Sequence, residues 1–371
     1  MIFFLIILTT YGGVNYYVYE TIAAGLGRDS WIVASLVTAF TLAPFSLRLT
    51  EGKLPHWLLK WKAVIGFNWM GVCWLFTSCT VLIRILGLFV PAISAREALT
   101  IGGALAVLTT IWGVAAAQNV KEKRLEVLSP KFDDKGISAF RIIQISDIHL
   151  GWGSSQAFMR KLVERINGLK PDLIVSTGDL FDSDLENLQE FVEIVKRFAA
   201  AEGKLAVTGN HEVYSNLGKA IELTAESQFD LLRFGSKDIG DWLTIAGVDD
   251  PEVPARLDFD QKETEMLKSI DANRFVLLLK HRPSIARESI GKFDLQLSGH
   301  THGGQIFPFK WLTKLQYRAR TGLSQLSPES FLYLSRGTGT WGPKIRFLAP
   351  AEFTVFDFKK GERFEIRHTL N

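Results

Sequence analysis

The first third of the chain carries four apolar segments, at residues 2–18, 31–47, 63–90 and 99–118, with few internal charges. Nothing else constrains the fold as much. About 20 mostly apolar residues let a helix cross a bilayer, and about 17 still suffice. Pro44 and Pro91 fall near segment ends, where a proline costs a helix little. Arg84 lies towards the end of the third segment, where its head can snorkel to the interface. The opening Met1-Ile2-Phe3-Phe4 carries no basic residue and no small-residue cleavage site follows, so the first segment reads as a membrane helix rather than a cleaved signal. The alternative is a buried helical bundle of a soluble protein. Four long apolar stretches argue against it. The sequence therefore predicts an all-α, four-helix transmembrane region over residues 1–120. It holds no intramembrane cluster of ionisable groups, so it reads as an anchor or a lateral wall for a lipid substrate, not as a transporter.

Charge in the connections predicts orientation. Arg48, Lys53, Lys60 and Lys62 lie between the second and third segments, and Lys121, Lys123 and Arg124 follow the fourth. The other two connections hold only Arg28 and Arg96. Basic connections stay cytoplasmic. Four spans place both basic connections, both termini and the rest of the chain on the cytoplasmic side; three spans would put the C-terminal part outside.

Residues 121–140 read as a linker. Residues 121–128 are charged and continue the last helix out of the membrane, Ser129-Pro130 ends it, and Asp133-Asp134-Lys135-Gly136 forms a turn.

From residue 141 short apolar, β-rich runs alternate with amphipathic helices. Strands are expected at 140–146, 173–177, 205–208, 243–248, 275–279, 295–298, 331–335 and 352–358. Helices are expected at 155–169, 185–201 and 216–228. In the first of these, Phe158, Leu162, Ile166 and Leu169 share one face. Such alternation predicts an α/β domain over 141–371 with a partly parallel sheet covered by helices. In such folds ligands bind beyond the carboxyl ends of strands.

The polar residues fall there. Asp147-Ile148-His149 follows the first strand, Gly178-Asp179-Leu180-Phe181-Asp182 the second, and Gly209-Asn210-His211-Glu212 the third. Later strands deliver His281 and the pair His300 and His302 in Gly299-His300-Thr301-His302-Gly303-Gly304. Asp147 to Asp179 is 32 positions and Asp179 to Asn210 is 31, one βαβ unit each. Five of the chain's seven histidines belong to this set. A single strand-end histidine is more often structural than functional; five together are not explained that way. The two cysteines, Cys73 and Cys79, lie in an apolar stretch and make no disulfide framework. A net charge of +3 gives no reason to expect nucleic acid as a partner.

Mixed carboxylate and imidazole donors suit Zn, Mn, Fe or Ni. Asp147, His149, Asp179, Asn210, His281, His300 and His302 are too many for one tetrahedral ion. They suit two ions roughly 3.5–4 Å apart, a spacing that clamps the attacking and leaving oxygens of phosphoryl transfer. A carboxylate can bridge such a pair, and Asp179 is central in the set. Such ions bring bound water towards neutrality, so the expected nucleophile is hydroxide held on the metals. A carboxylate such as Asp182, if brought beside His211, would fix its tautomer and raise its pKa, as a general acid needs. A purely electrostatic role for His211 and helix capping by Asp182 remain open readings.

Asp-x-His, Gly-Asp-x-x-Asp, Gly-Asn-His-Glu, a later His and Gly-His-x-His, in this order, resemble the calcineurin-like metallophosphoesterases over roughly 141–371. The resemblance implies two packed β-sheets flanked by helices. It implies two divalent ions, manganese favoured, with Asp147, His149, Asp179 and His302 on one and Asp179, Asn210, His281 and His300 on the other, Asp179 bridging. It implies that His211 approaches the leaving group or a phosphoryl oxygen with Asp182 hydrogen-bonded to it. The tail Ser335-Arg336-Gly337-Thr338-Gly339-Thr340-Trp341-Gly342-Pro343-Lys344-Ile345-Arg346 resembles that of bacterial membrane-associated members. Some of these hydrolyse the pyrophosphate of UDP-2,3-diacylglucosamine, which implies an inner-membrane setting and a lipid-linked phosphodiester or pyrophosphate substrate. Arg336 and Arg346 are candidates to grip a diphosphate through bidentate bonds, or are plain surface arginines.

Residues 306–312 and 315–320 mix aromatics with Lys and Arg. The mixture suits a membrane interface or, equally, a capping loop over the core. The rival functions are an anchored phosphodiesterase acting on soluble nucleotides and a catalytically silent metal-binding scaffold. A scaffold would have lost ligands, and none is lost here.

Overall fold

The computed structural model describes residues 2–27, 29–90, 93–132, 139–254 and 258–369. The expected turn at 133–136 and the connection residues Arg28 and Pro91 lie outside them. The chain forms two compact units: residues 1–117 with 342–348, and residues 118–341 with 349–371.

The first unit is all-α: α1 (Ile2–Leu26), α2 (Trp31–Leu42), the single turn α3 (Leu47–Thr50), α4 (His56–Gly87) and α5 (Ala95–Gln118). Two of these helices, α4 at 32 residues and α5 at 24, are long and apolar enough to cross a membrane. At 1.5 Å per residue they are about 48 and 36 Å long, against a hydrocarbon core of about 30 Å. Only 28% and 22% of the residues in their most apolar windows are buried, so they are not core helices wrapped by protein. Their outer faces carry exposed Leu82, Val107, Leu108 and Ile111. The expected span at 31–47 is helical only through Leu42; twelve residues make about 18 Å. Pro44 follows, and its ring and backbone press so closely on Gly66 of α4 that a side chain there would collide. Gly102 of α5 meets the Thr80 backbone in the same way, the small-residue contact expected of helices packed in lipid. Segment 342–348 returns to this unit. The Arg346 N–H donates to Gly113 O at 2.9 Å, and Phe347 packs edge-on against Trp112.

The second unit opens with a correction. Residues 121–129, expected to extend the last helix and link the regions, form strand β1 (Lys121–Ser129), which pairs in parallel with β12 (Glu352–Lys360). The charges misled: Leu125, Val127 and Ser129 alternate as buried positions, a period of two that only a strand satisfies. The remaining strands are β2 (Phe140–Ile145), β3 (Leu173–Ser176), β4 (Lys204–Ala206), β5 (Asp230–Leu231), β6 (Gly235–Ile239), β7 (Leu243–Val248), β8 (Phe275–Lys280), β9 (Leu295–Ser298), β10 (Gly322–Ser327), β11 (Ser330–Leu334) and β13 (Glu365–His368). The helices are α6 (Gln156–Gly168), α7 (Gln189–Val195), α8 (Asn210–Glu226), α9 (Phe259–Lys268) and α10 (Lys310–Tyr317).

Two sheets result, in the orders β13-β1-β12-β2-β3-β4-β5 and β10-β11-β9-β8-β7-β6. They share an apolar core in which Leu125, Ile142, Leu173 and Val175 of the first meet Ile245, Leu277, Leu295 and Leu297 of the second. Each such residue contributes about 1.5–3 kcal/mol on burial. Helices α6, α7 and α8 cover the far face of the first sheet, and α9 that of the second. The architecture is therefore two packed mixed sheets flanked by helices. The predicted face of α6 packs through Leu162 and Ile166, with Met159 and Val163 beside them. Strands β2 to β5 run parallel, as do β7, β8, β9 and β11. Their carboxyl ends gather the polar loops.

Candidate metal centre

Asp147 and His149 follow β2, Asp179 follows β3, and His281 follows β8. His300 and His302 follow β9, and Asn210 and His211 open α8 directly after β4. The helix expected to start at 216 starts at Asn210 and breaks its regular geometry at Asn216, so both residues stand on its first turn.

The backbone is bent to present these groups. Asp147, His149, Asp179, His300 and His302 all have positive φ, at 54°, 54°, 53°, 73° and 51°. Non-glycine residues rarely hold this conformation, and where they cluster the strain belongs to a site. Two flanking glycines are needed for close approach: a Cβ on Gly209 would run into the Asp179 carboxylate, and one on Gly299 into Asp147 and Ser146.

Asp147, His149 and His302 bring ligand atoms within 4.8 Å of one another, and so do Asp179, His281 and His300. In the first group His149 Nε2 lies 3.0 Å from His302 Nε2, and His302 Nε2 lies 3.4 Å from Asp147 Oδ1. In the second, His281 Nε2 lies 3.1 Å from His300 Nδ1 and 3.2 Å from Asn210 Oδ1. One oxygen, Asp179 Oδ2, spans the two: it is 3.6 Å from His149 Nε2 and 3.2 Å from His281 Nε2. His149, Asp179 and His211 form a third convergent group, but His211 Nδ1 is engaged by Asp182 Oδ1 at 2.5 Å.

Paired imidazole nitrogens at such distances can share one hydrogen bond, but so many of them converging with buried carboxylates make a donor set that suits a borderline divalent cation. The convergent carboxylate and imidazole groups fit such ions. Burial pushes Asp147 upward. Burial would raise Asp179 too, but the His281 charge outweighs it and holds Asp179 well below the usual range. Burial, then His281, drives His300 down. The cluster thus relies on unlike charges held inside protein.

Of the two readings of Asp182, the structure shows its contact with His211. The short 3-10 turn Leu185–Asn187 has Asp184 at its N-cap, and Asp182 is given to His211 instead. Burial alone would lower the pKa of His211; the Asp182 hydrogen bond, with the charges of Asp179, Asp182 and Glu212, outweighs it and raises it to about 9.

Around the donors stands a supporting set that the sequence did not single out. His281 Nδ1–H donates to Thr177 O at 2.8 Å, leaving Nε2 for the cluster. The buried Glu212 carboxylate accepts N–H bonds from Asp179, Phe181 and Gly209, tying two strand-end loops together. The Tyr317 hydroxyl reaches His300 Nε2. Trp341 and Tyr214 each bring a ring 5.6 Å from that of His211, and Trp341 is pinned by two hydrogen bonds with Gln305. Glu212 was visible in the Gly-Asn-His-Glu block. Tyr317 had no signal short of the fold.

The two arginines expected to grip a diphosphate do other work. Arg336 Nε donates to the buried Glu352 at 2.6 Å, and its backbone N–H donates to the same carboxylate. Arg346 is fully buried and belongs, with 342–348, to the helical unit. In this structure the Arg336 guanidinium pairs with Glu352 and Arg346 is buried.

The calcineurin-like phosphoesterase family matches residues 140–304. A metallophosphoesterase of Aquifex aeolicus is 36% identical over 222 residues, covering 59% of this chain and 85% of that protein. One of Campylobacter jejuni is 32% identical over 256 residues, covering 68% of each. A zebrafish (Danio rerio) relative named as a transmembrane protein with a metallophosphoesterase domain is 30% identical over 354 residues, covering 88% of this chain and 78% of that one.

Proposed function

Because the chain belongs to the calcineurin-like metallophosphoesterases, and so is a metal-dependent phosphoester hydrolase, we propose that it is a multi-pass membrane-anchored enzyme that cleaves a phosphodiester or pyrophosphate bond with two divalent ions. The observation that carries this reading is Asp179 Oδ2 placed between the two donor groups. Asp147, His149, Asp179 and His302 would hold one ion, and Asp179, Asn210, His281 and His300 the other. When bound, such ions supply Lewis-acid polarisation of phosphoryl oxygens and acidify water.

The chain's own residues do the rest. Asp182 holds Nδ1 of His211 and keeps that ring protonated, which suits proton donation to the leaving oxygen. The rings of Trp341 and Tyr214 limit the positions His211 can take. Glu212 keeps Asp179 and Asn210 in register. Asp179→Asn and His211→Ala, each in metal-loaded enzyme, are expected to abolish hydrolysis of bis-p-nitrophenyl phosphate; activity retained in both refutes the assignment.

The apolar length of α4 and α5 and the transmembrane naming of a relative support the anchor. The basic connections favour a cytoplasmic catalytic unit, and a reporter fused after Asn371 tests this. Anchoring concentrates the enzyme on membrane-borne substrates, which favours a lipid-linked one, UDP-2,3-diacylglucosamine being the first to try. Its hydrolysis, set against that of cyclic nucleotides, separates this reading from an anchored nucleotide phosphodiesterase.

A further inference from the structure

Helix α10 is eight residues long and none of them is buried. A helix this short does not hold in water on propensity alone, where about 12–15 residues are marginal. Its stripe of Trp311, Leu312 and Leu315 is exposed at 52%, 60% and 77%. At 100° per residue these three cover one side, Lys314 lies about 60° from Trp311 at its edge, and Lys310 and Tyr317 lie further round, the Tyr317 hydroxyl on His300. The Lys310 ammonium lies 5.2 Å and that of Lys314 5.8 Å from the Trp311 ring centre. Arg318 and Arg320 follow. Among the described residues no carboxylate forms an ion pair with any of these four cations.

Beside the helix is a cavity of about 280 Å³ whose polar lining is Thr301, Lys310, Thr313, Lys314, Arg320 and Thr321. It contains cations and hydroxyls and no acid, which is the chemistry of a phosphate site. Thr301 stands between His300 and His302, so this lining reaches the segment that carries the candidate ligands.

We propose that α10 is a docking surface for an anionic phospholipid bilayer: Trp311, Leu312 and Leu315 enter the interface while Lys310, Lys314 and Arg320 take a lipid phosphate. Aromatic and aliphatic side chains backed by Lys and Arg, with low overall hydrophobicity, are what an interfacial helix needs. A soluble acidic partner would leave the Trp311–Leu315 stripe in water; a second copy of the chain would set like charges against each other. The inference rests on the membrane-anchored reading and is independent of which phosphoester is cleaved. Docking would also order the helix that carries Tyr317, and with it the hydrogen bond to His300.

The test is amide hydrogen exchange of residues 310–320 in the full-length chain, reconstituted in phosphatidylcholine discs with and without phosphatidylglycerol. Exchange is expected to slow about tenfold with the anionic lipid, and the Lys310→Glu/Lys314→Glu variant is expected to lose this protection while β7 and β8 exchange as before. Equal exchange in both discs overturns the proposal. Equal protection by millimolar inorganic phosphate in neutral discs also overturns it, since the pocket would then be a free-anion site. Resistance to alkaline carbonate extraction scores the anchor separately, so a failed anchor and a failed docking surface give different results.

Discussion

The Tyr317 hydroxyl lies 2.7 Å from Nε2 of His300, while Nδ1 of the same ring faces His281 Nε2 at 3.1 Å. Burial keeps His300 neutral. When Nε2–H donates to the tyrosine oxygen, the Nδ1 lone pair is left pointing into the cluster. This is how an outer hydrogen bond fixes a metal-binding tautomer. Tyr317→Phe keeps the ring and removes that acceptor. It is expected to weaken binding of a divalent ion at the His281 and His300 group by about 10–100-fold, with the fold intact. Calorimetric titration of the metal-free protein with Mn²⁺ checks this: two binding steps unchanged in the variant would show that Tyr317 only packs.

His211 and Asp182 make a prediction with a definite sign in metal-free protein. The folded pKa of His211, about 9, stands above its ordinary value near 6.5. A raised pKa stabilises the folded state fully below pH ~6.5, and that contribution is lost as pH rises through ~9. Asp182 is held below the usual carboxylate range, although burial opposes this, because His211 donates to it; it therefore stays ionised across the window. Asp182→Asn should cost on the order of 2 kcal/mol near pH 6 and much less near pH 10. Thermal unfolding of both proteins across this range checks the trend. A pH-independent difference would mean that the pair is not ionic.

Gly299 separates β9 from His300, and a methyl group there would meet the Asp147 carboxylate and Ser146. Asp147 also receives the His300 N–H at 2.8 Å. Gly299→Ala should cost about 1–3 kcal/mol through overpacking and displace Asp147, His300 or both. The expected signature is a metal content below that of wild type in a protein whose far-ultraviolet circular dichroism is unchanged. Full metal occupancy would show that the loop can shift without harm.

The legibility of this chain followed physical range. Strand-end residues could be read because each βαβ unit advances the chain by one repeat, so Asp147, Asp179 and Asn210 announce neighbouring strands. Apolar runs such as 243–248 and 295–298 fixed strands to the residue, because burial on both faces leaves no other use for them. β1 was hidden because Lys121, Glu122, Lys123 and Arg124 mask a period of two that starts at Leu125. α10 was hidden because eight residues give barely two turns of periodicity. The partners of Arg336 and Tyr317 arise only when distant segments meet. Glu352 is 16 positions from Arg336, and His300 is 17 from Tyr317, with no regular spacing to signal either.

Glu212 offers the sharpest separation of support from chemistry. Its Oε2 accepts the N–H groups of Asp179 at 3.1 Å and Gly209 at 2.8 Å, and its Oε1 accepts that of Phe181 at 3.0 Å. Burial, then the charge of Asp179, pushes its carboxyl upward, yet three donors favour a pure acceptor. Glu212→Gln places an NH₂ group against at least one of those N–H groups. A buried donor left facing a donor costs about 1–3 kcal/mol. The variant should therefore unfold earlier and hold Asp179 less firmly. If Glu212 only positions, kcat for bis-p-nitrophenyl phosphate should fall while the pH profile keeps its shape. A shifted acidic or basic limb would instead make Glu212 a proton-transfer group, and would move it from the frame of the site into its chemistry.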